Sequence, residues 1–156
     1  MTHPLHITVH SESSMTKLGT ALASALAPGS VVLLKGPVGA GKTHLARAVI
    51  SAHLRKPEDI PSPTFTLIQT YEGKAGELWH ADLYRLADTS ELVELGLDEA
   101  IGNSIVLIEW PDRLPPEMVP DTAISVNIEI EGDERRVTVA DPNGSVTNVL
   151  ARLADA

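Results

Sequence analysis

With 156 residues, 43% of them hydrophobic and 21% charged, the chain can bury one complete core, is too short for two ordinary domains and is too apolar to be disordered. Twelve Lys and Arg against 21 Asp and Glu give a formal charge of −9, which repels a polyanion over most of the surface and disfavours strong direct binding to nucleic acid. The absence of cysteine excludes a disulfide framework, a thiolate metal site and a catalytic thiol.

From the start of the chain, Met1 to His6 has no basic segment leading into a long apolar run, so no secretory signal is read there. No stretch approaches the roughly 18 to 20 apolar residues that cross a bilayer, and a soluble cytoplasmic protein with no membrane partner is expected. Leu5, Ile7 and Val9 alternate with polar neighbours and predict a half-buried strand. His6 and His10 share a face of that strand, but two histidines without a third ligand read as surface residues. Ser13 or Ser14 is expected to cap a helix carrying Leu18, Leu22, Ala25 and Leu26 that stops at Pro28-Gly29. The segment Ser11 to Ser14 reads as a capping turn, with a place near a nucleotide base as the alternative.

Residues 31 to 49 are the centre of the chain: an apolar run, a glycine-rich turn and then a helical pattern. Gly36, Gly41, Lys42 and Thr43 satisfy G-x-x-x-x-G-K-[ST]. Gly39 and Gly41 free the backbone for conformations closed to other residues. The amides from Val38 through Gly39, Ala40, Gly41 and Lys42 to Thr43 then form a cup for a triphosphate, reinforced by the positive end of the following helix. In this pattern Lys42 reaches the β and γ phosphates, and the Thr43 hydroxyl ligates magnesium.

Beyond a proline-interrupted loop from Arg55 to Thr64, residues 65 to 82 predict a β-hairpin, whose antiparallel pair makes the sheet mixed. Thr64 stands where many phosphate-loop proteins carry a switch threonine, and a turn-forming role is the alternative. Asp82 ends the second strand of the hairpin. A carboxylate there can orient an attacking water or hold a metal-bound water, with capping of the next turn as the alternative. His80 reads as structural or exposed. Asp88 with Glu91 resembles a capping box for a short helix from Thr89 to Leu95, closed by Gly96, with the nearby acids as a solvated face. Ser104 to Trp110 is a continuous apolar run ending in Glu109, the pattern of a buried central strand whose terminal acid holds magnesium. Trp110 either packs beneath the following loop or forms a docking or coupling surface. Residues 124 to 140 predict a second hairpin, with Arg135 and Arg136 on its outer face opposite Glu129 and Glu131, and with contact to a nucleotide as the alternative for an arginine there. A short helix with Val149, Leu150 and Leu153 follows. The expected fold is a single α/β domain over 1–156: a three-layer phosphate-loop NTPase-like arrangement with a mixed central sheet and inserted β-hairpins.

Taken in order, the segments Gly36 to Thr43, Ser62-Pro63-Thr64-Phe65, His80-Ala81-Asp82-Leu83-Tyr84-Arg85-Leu86, Glu94-Leu95-Gly96-Leu97 and Ile108-Glu109-Trp110 resemble the bacterial TsaE (YjeE) ATPases of tRNA threonylcarbamoyladenosine biosynthesis. That resemblance implies binding of ATP with magnesium and slow hydrolysis by the isolated chain. It also implies a complex with TsaD and TsaB subunits, which modify the adenosine next to the anticodon, so that tRNA is met only through the partners. It implies Lys42, Asp82 and Glu109 as catalytic residues, with Thr43 and Glu109 holding the metal and Asp82 assisting hydrolysis. Two other functions fit a phosphate-loop domain of this size. A small-molecule kinase needs a lid rich in arginine, and the loop from Leu54 to Pro63 offers only Arg55, with Arg85 after Asp82. A GTPase switch needs an Asn/Thr-Lys-x-Asp element, and none occurs.

Overall fold

A computed structural model describes residues 3–61 and 67–154. Thr64, and with it the Ser62 to Phe65 segment, lies outside the described residues. The elements are β1 (Leu5–Val9), α1 (Glu12–Ser24), β2 (Val31–Lys35), α2 (Lys42–His53), β3 (Ile68–Gly73), β4 (Gly76–Asp82), α3 (Ser90–Glu94), α4 (Leu97–Ala100), β5 (Ile105–Glu109), β6 (Ile124–Glu131), β7 (Glu134–Ala140) and α5 (Ser145–Ala154).

The seven strands form one sheet in the order β1-β7-β6-β2-β5-β4-β3. Its four central strands, β6, β2, β5 and β4, run parallel. The hairpin partners β7 and β3 add antiparallel edges, and β1 closes one side against β7. The sheet is therefore mixed, as the hairpin patterns predict. Strand β5 is buried at every position because it pairs on both sides and is covered on both faces.

One face packs against α1, α2 and α5 through Leu18, Leu22, Leu45, Ile50 and Leu150. Each such leucine or isoleucine contributes about 1.5–3 kcal/mol through burial. The other face packs against α3, α4 and the turns after β5 through Leu92, Leu97 and Leu114. Three layers result, α on β on α. Helices α1 and α2 meet very closely: a Cβ built on Gly19 would lie 2.4 Å from the Cβ of Ala48.

Two helix starts differ from the sequence reading. Ser11, not Ser13 or Ser14, caps α1: its hydroxyl accepts from the Ser14 amide, and the Ser14 hydroxyl accepts from the Ser11 amide. Serine at the third helical position takes the part more often played by Glu or Gln, so both hydroxyls serve one box. The short helix after Asp88 spans Ser90–Glu94, and Asp88 accepts from the Ser90 amide without a reciprocal bond from Glu91, which gives an Asx turn in place of a capping box. Gly96, at φ +86°, ends that helix and starts α4, which the sequence reading treated as an acidic face.

Candidate active site at the carboxyl ends of the parallel strands

The carboxyl ends of β2, β5 and β4 lie side by side, the place where open α/β sheets put their ligands. From β2 the chain passes through Gly36 at φ +149°, where a Cβ would stand 2.6 Å from the Ile128 carbonyl oxygen of β6. The loop then turns at Pro37 and reaches Gly41, which caps α2 in the left-handed region at φ +109° and has no side chain to occupy the first amides. The amino end of α2 is thus left without a side-chain cap, and its N–H groups are available to an anion.

Lys42 and Thr43 open α2 and project into the cleft. The Lys42 ammonium donates to the Gly36 carbonyl at 2.5 Å and lies 3.4 Å from the centroid of the Trp110 ring. Burial lowers the Lys42 pKa from its ordinary value, opposed by the charges of Glu109, Asp82 and Asp112. Thr43 donates its hydroxyl hydrogen to Glu109 Oε1 at 2.8 Å. Glu109, 1% exposed, has its other oxygen, Oε2, 2.6 Å from His80 Nε2.

On the neighbouring strand Asp82 is in register with Glu109. Its Oδ1 accepts from the Tyr84 amide, so it does cap the next turn, and it also lines the cleft with Lys42 and Thr43. Burial raises its pKa above the usual carboxylate value, partly offset by the Tyr84 hydrogen bond. Trp110 adopts a left-handed conformation at φ 60°, a strain of about 1–3 kcal/mol for a bulky residue. Its ring sits 4.9 Å from that of Tyr84, and it lines the cleft. The cleft has a volume of about 400 Å³.

A second cavity of about 320 Å³ adjoins the glycine loop on the side of β1. Val9, Ser11, Glu12 and Met15 line it with Gly39, Ala40 and Arg135. Arg135 departs from its expected place opposite the glutamates of β6. It donates from Nε to the Ala40 carbonyl at 3.2 Å and from Nη2 to the Gly39 carbonyl at 3.4 Å. Register explains the difference: Arg136 is the residue opposite Glu129, and it approaches Glu131 at 3.8 Å, whereas Arg135 pairs with Ile130 and faces the loop.

Every site residue named from the sequence within the described region therefore borders this end of the sheet. Two side chains at the site are undervalued by the sequence. His80 is fully buried and bonded to Glu109, and the available signal was parity, because a residue two before Asp82 on a strand shares its face. Arg135 had no local signal.

His6 and His10 bond to Thr138 and Glu134 at the far edge. Among the described residues no group of three or more His, Asp or Glu is arranged to hold a metal unaided. The hydroxyl of Thr43 and the carboxylate of Glu109 are hard oxygen donors. Such a pair suits magnesium, which takes one or two protein oxygens and completes its shell with water and phosphate. Among the described residues no helix is long and apolar enough to cross a membrane.

A family model described as "Threonylcarbamoyl adenosine biosynthesis protein TsaE" matches residues 9–138. A Rickettsia felis protein named tRNA threonylcarbamoyladenosine biosynthesis protein TsaE is 36% identical over 142 residues, 91% of this chain and 82% of that protein. A protein of the same name from Nostoc is 39% identical over 147 residues, covering 90% of this chain and 88% of its own length. The crystal structure of Bacillus subtilis YdiB superposes with a TM-score of 0.77 at 27% identity, over 97% of both chains. With the family model spanning most of the sequence and relatives of this identity over nearly its whole length, the chain belongs to the TsaE family of tRNA threonylcarbamoyladenosine biosynthesis proteins.

Proposed function

We propose that this protein is a magnesium-dependent ATPase subunit that couples ATP binding and hydrolysis to a TsaB/TsaD complex, which installs the threonylcarbamoyl group on the adenosine next to the anticodon of tRNA. The observation that carries the reading is the Thr43 to Glu109 hydrogen bond at 2.8 Å, made at the uncapped amino end of α2. A hydroxyl and a carboxylate held together beside free amides are what a metal–triphosphate needs and what an ordinary glycine turn lacks.

On this reading the amides from Val38 to Thr43 bind the phosphate oxygens. Lys42 leaves the Gly36 carbonyl to pair with the β and γ phosphates. Thr43 and Glu109 hold magnesium, which when bound neutralises charge on the phosphates. Asp82 orients the attacking water by accepting its hydrogen bond, and burial, which raises its carboxyl above the ordinary carboxylate value, makes it a stronger base. The nucleoside fits the adjoining cavity, where Val9 and Met15 offer apolar surface and Ser11 and Arg135 offer polar contacts. An acidic chain that meets tRNA only through its partners accords with the net charge of −9.

The small-molecule kinase reading has less support. Arg55, the arginine of the candidate lid, donates to the Gly73 carbonyl at the sheet edge.

The test is reconstitution: the full chain is mixed with purified TsaB and TsaD, and ATP turnover is measured beside modification of tRNA over many cycles. Sustained modification should require this chain and be abolished by Lys42→Ala. Undiminished cycles with the variant, or ATP consumed only to phosphorylate a metabolite in the absence of the partners, would reject the proposal.

A further inference from the structure

We propose that His80 is the positioning residue for Glu109, holding one carboxylate oxygen from within the sheet so that the other faces Thr43 and the metal. The inference rests on the reading of Thr43 and Glu109 as magnesium ligands given above.

The geometry divides the carboxylate cleanly. Glu109 Oε2 lies 2.6 Å from His80 Nε2, and Oε1 receives the Thr43 hydroxyl at 2.8 Å. The His80 and Glu109 side chains are 0% and 2% exposed, so water does not compete for either bond. On β4, His80 stands two residues before Asp82 and in register with Leu107, two rungs deeper than the pair formed by Asp82 and Glu109. The imidazole therefore approaches Glu109 from the interior, opposite the mouth of the cleft.

Glutamate gives such an anchor its purpose. Compared with an aspartate at the end of a strand, its side chain has one more rotatable bond, and an unheld carboxylate samples more orientations. Hydrogen bonds to a ligating carboxylate restrict it and sharpen metal affinity.

The chemistry of the ring agrees. An ionised carboxylate only accepts, so Nε2 carries the hydrogen and a neutral ring is left with Nδ1 bare. Among the described residues Nδ1 has no partner, although it is buried. A side chain serving only to fill space would be apolar here and free of that desolvation cost. The bond to Glu109 is what offsets it.

Three variants of the full chain test this, His80→Leu, His80→Gln and His80→Asn, with Glu109→Ala as the control. ADP binding is titrated by calorimetry in EDTA and across a magnesium series, and thermal melting verifies that each variant folds. The amide nitrogen of Gln reaches the position of the ring Nε2, and that of Asn does not. The expected result is ADP affinity in EDTA within about threefold of wild type for every His80 variant. The magnesium concentration for half-maximal enhancement should rise about 10- to 100-fold in the Leu and Asn variants and recover in the Gln variant. An unchanged magnesium series in the Leu and Asn variants overturns the inference, as does an equal loss of affinity with and without metal, or no recovery with Gln. Should the Leu variant not fold, the Gln and Asn pair decides alone. If Glu109→Ala also leaves the magnesium series unchanged, the metal reading itself fails, whereas an effect in Glu109→Ala without one at His80 removes only this inference.

Discussion

Gly19→Ala tests how tightly the placement of the glycine loop depends on the contact between α1 and α2. The added methyl would meet the Ala48 Cβ at 2.4 Å, about 1 Å or more short of the roughly 3.5–4.0 Å at which carbons sit comfortably. Overpacking of this kind costs about 1–3 kcal/mol, while replacing a helical glycine by alanine returns about 1 kcal/mol. A net loss of up to about 2 kcal/mol follows, or a drop in Tm of up to several degrees for a chain of this size. Because Lys42 and Thr43 open α2, moving that helix off α1 should also weaken ADP binding. Ala48→Gly in the same chain removes the obstructing methyl and exchanges the two helix propensities. The double variant should therefore recover most of the loss, the new methyl still meeting the Leu45 carbonyl oxygen at 3.1 Å, with a favourable coupling of about 1–2 kcal/mol. Urea denaturation of the four proteins, with ADP titrations alongside, measures both effects. If the two substitutions add within about 0.5 kcal/mol, the helices are not in the contact described and the reasoning is wrong.

Three further substitutions address the chemistry. Thr43→Val keeps the shape but loses the hydroxyl that bonds Glu109, so magnesium should cease to strengthen ADP binding while affinity in EDTA stays within a few-fold and Thr43→Ser restores the response; identical titrations for wild type and Val would contradict this. Asp82→Asn should lower ATP turnover in the full complex by about 10²- to 10⁴-fold. The same change has a pH signature: burial makes folded Asp82 keep its proton above the ordinary value of 3.8, so its contribution to stability is greatest in acid and is lost as pH rises through the folded pKa. The stability of Asp82→Asn relative to wild type should therefore increase between about pH 4 and pH 7, which urea midpoints at the two pH values check. Arg135→Ala removes the fork to the Gly39 and Ala40 carbonyls; for a half-exposed arginine this is worth about 1 kcal/mol, so ATP affinity should fall about fivefold and not recover with Lys, which lacks the fork. Unchanged affinity in both Arg135 variants would return that residue to the surface role first expected of it.

The parts legible in the sequence are those that depend on neighbours along the chain. Alternation marked β1, the hairpins and the buried run of β5, and the glycine spacing with Lys42 and Thr43 marked the loop, because each is a local conformational requirement. The end of β5 was also readable, since an acid closing an apolar strand stands out. What escaped depends on register between distant segments. Arg135 faces the loop and Arg136 the glutamates only because Ile130 pairs with Arg135, an alignment that a shift of one residue would reverse. His80 meets Glu109 because β4 and β5 run parallel in one particular register, which neither strand encodes alone. At the start of α1 the difficulty was competition: three serines within four residues can all cap, and the choice of Ser11 is made by where the chain leaves β1.

The order of strands also bears on how the molecule is made. Among the described residues β1 is ladder-paired only with β7, and β2, which leads into the glycine loop, lies between β5 and β6. Emerging from a ribosome, the amino-terminal third waits for partners translated some 75 to 130 residues later, an interval of roughly 4 to 26 seconds at 5–20 residues per second. Contacts so distant in sequence slow folding. During that interval β2, an apolar strand destined for the interior, has neither neighbour, and its unpaired edges are exposed until the later strands arrive.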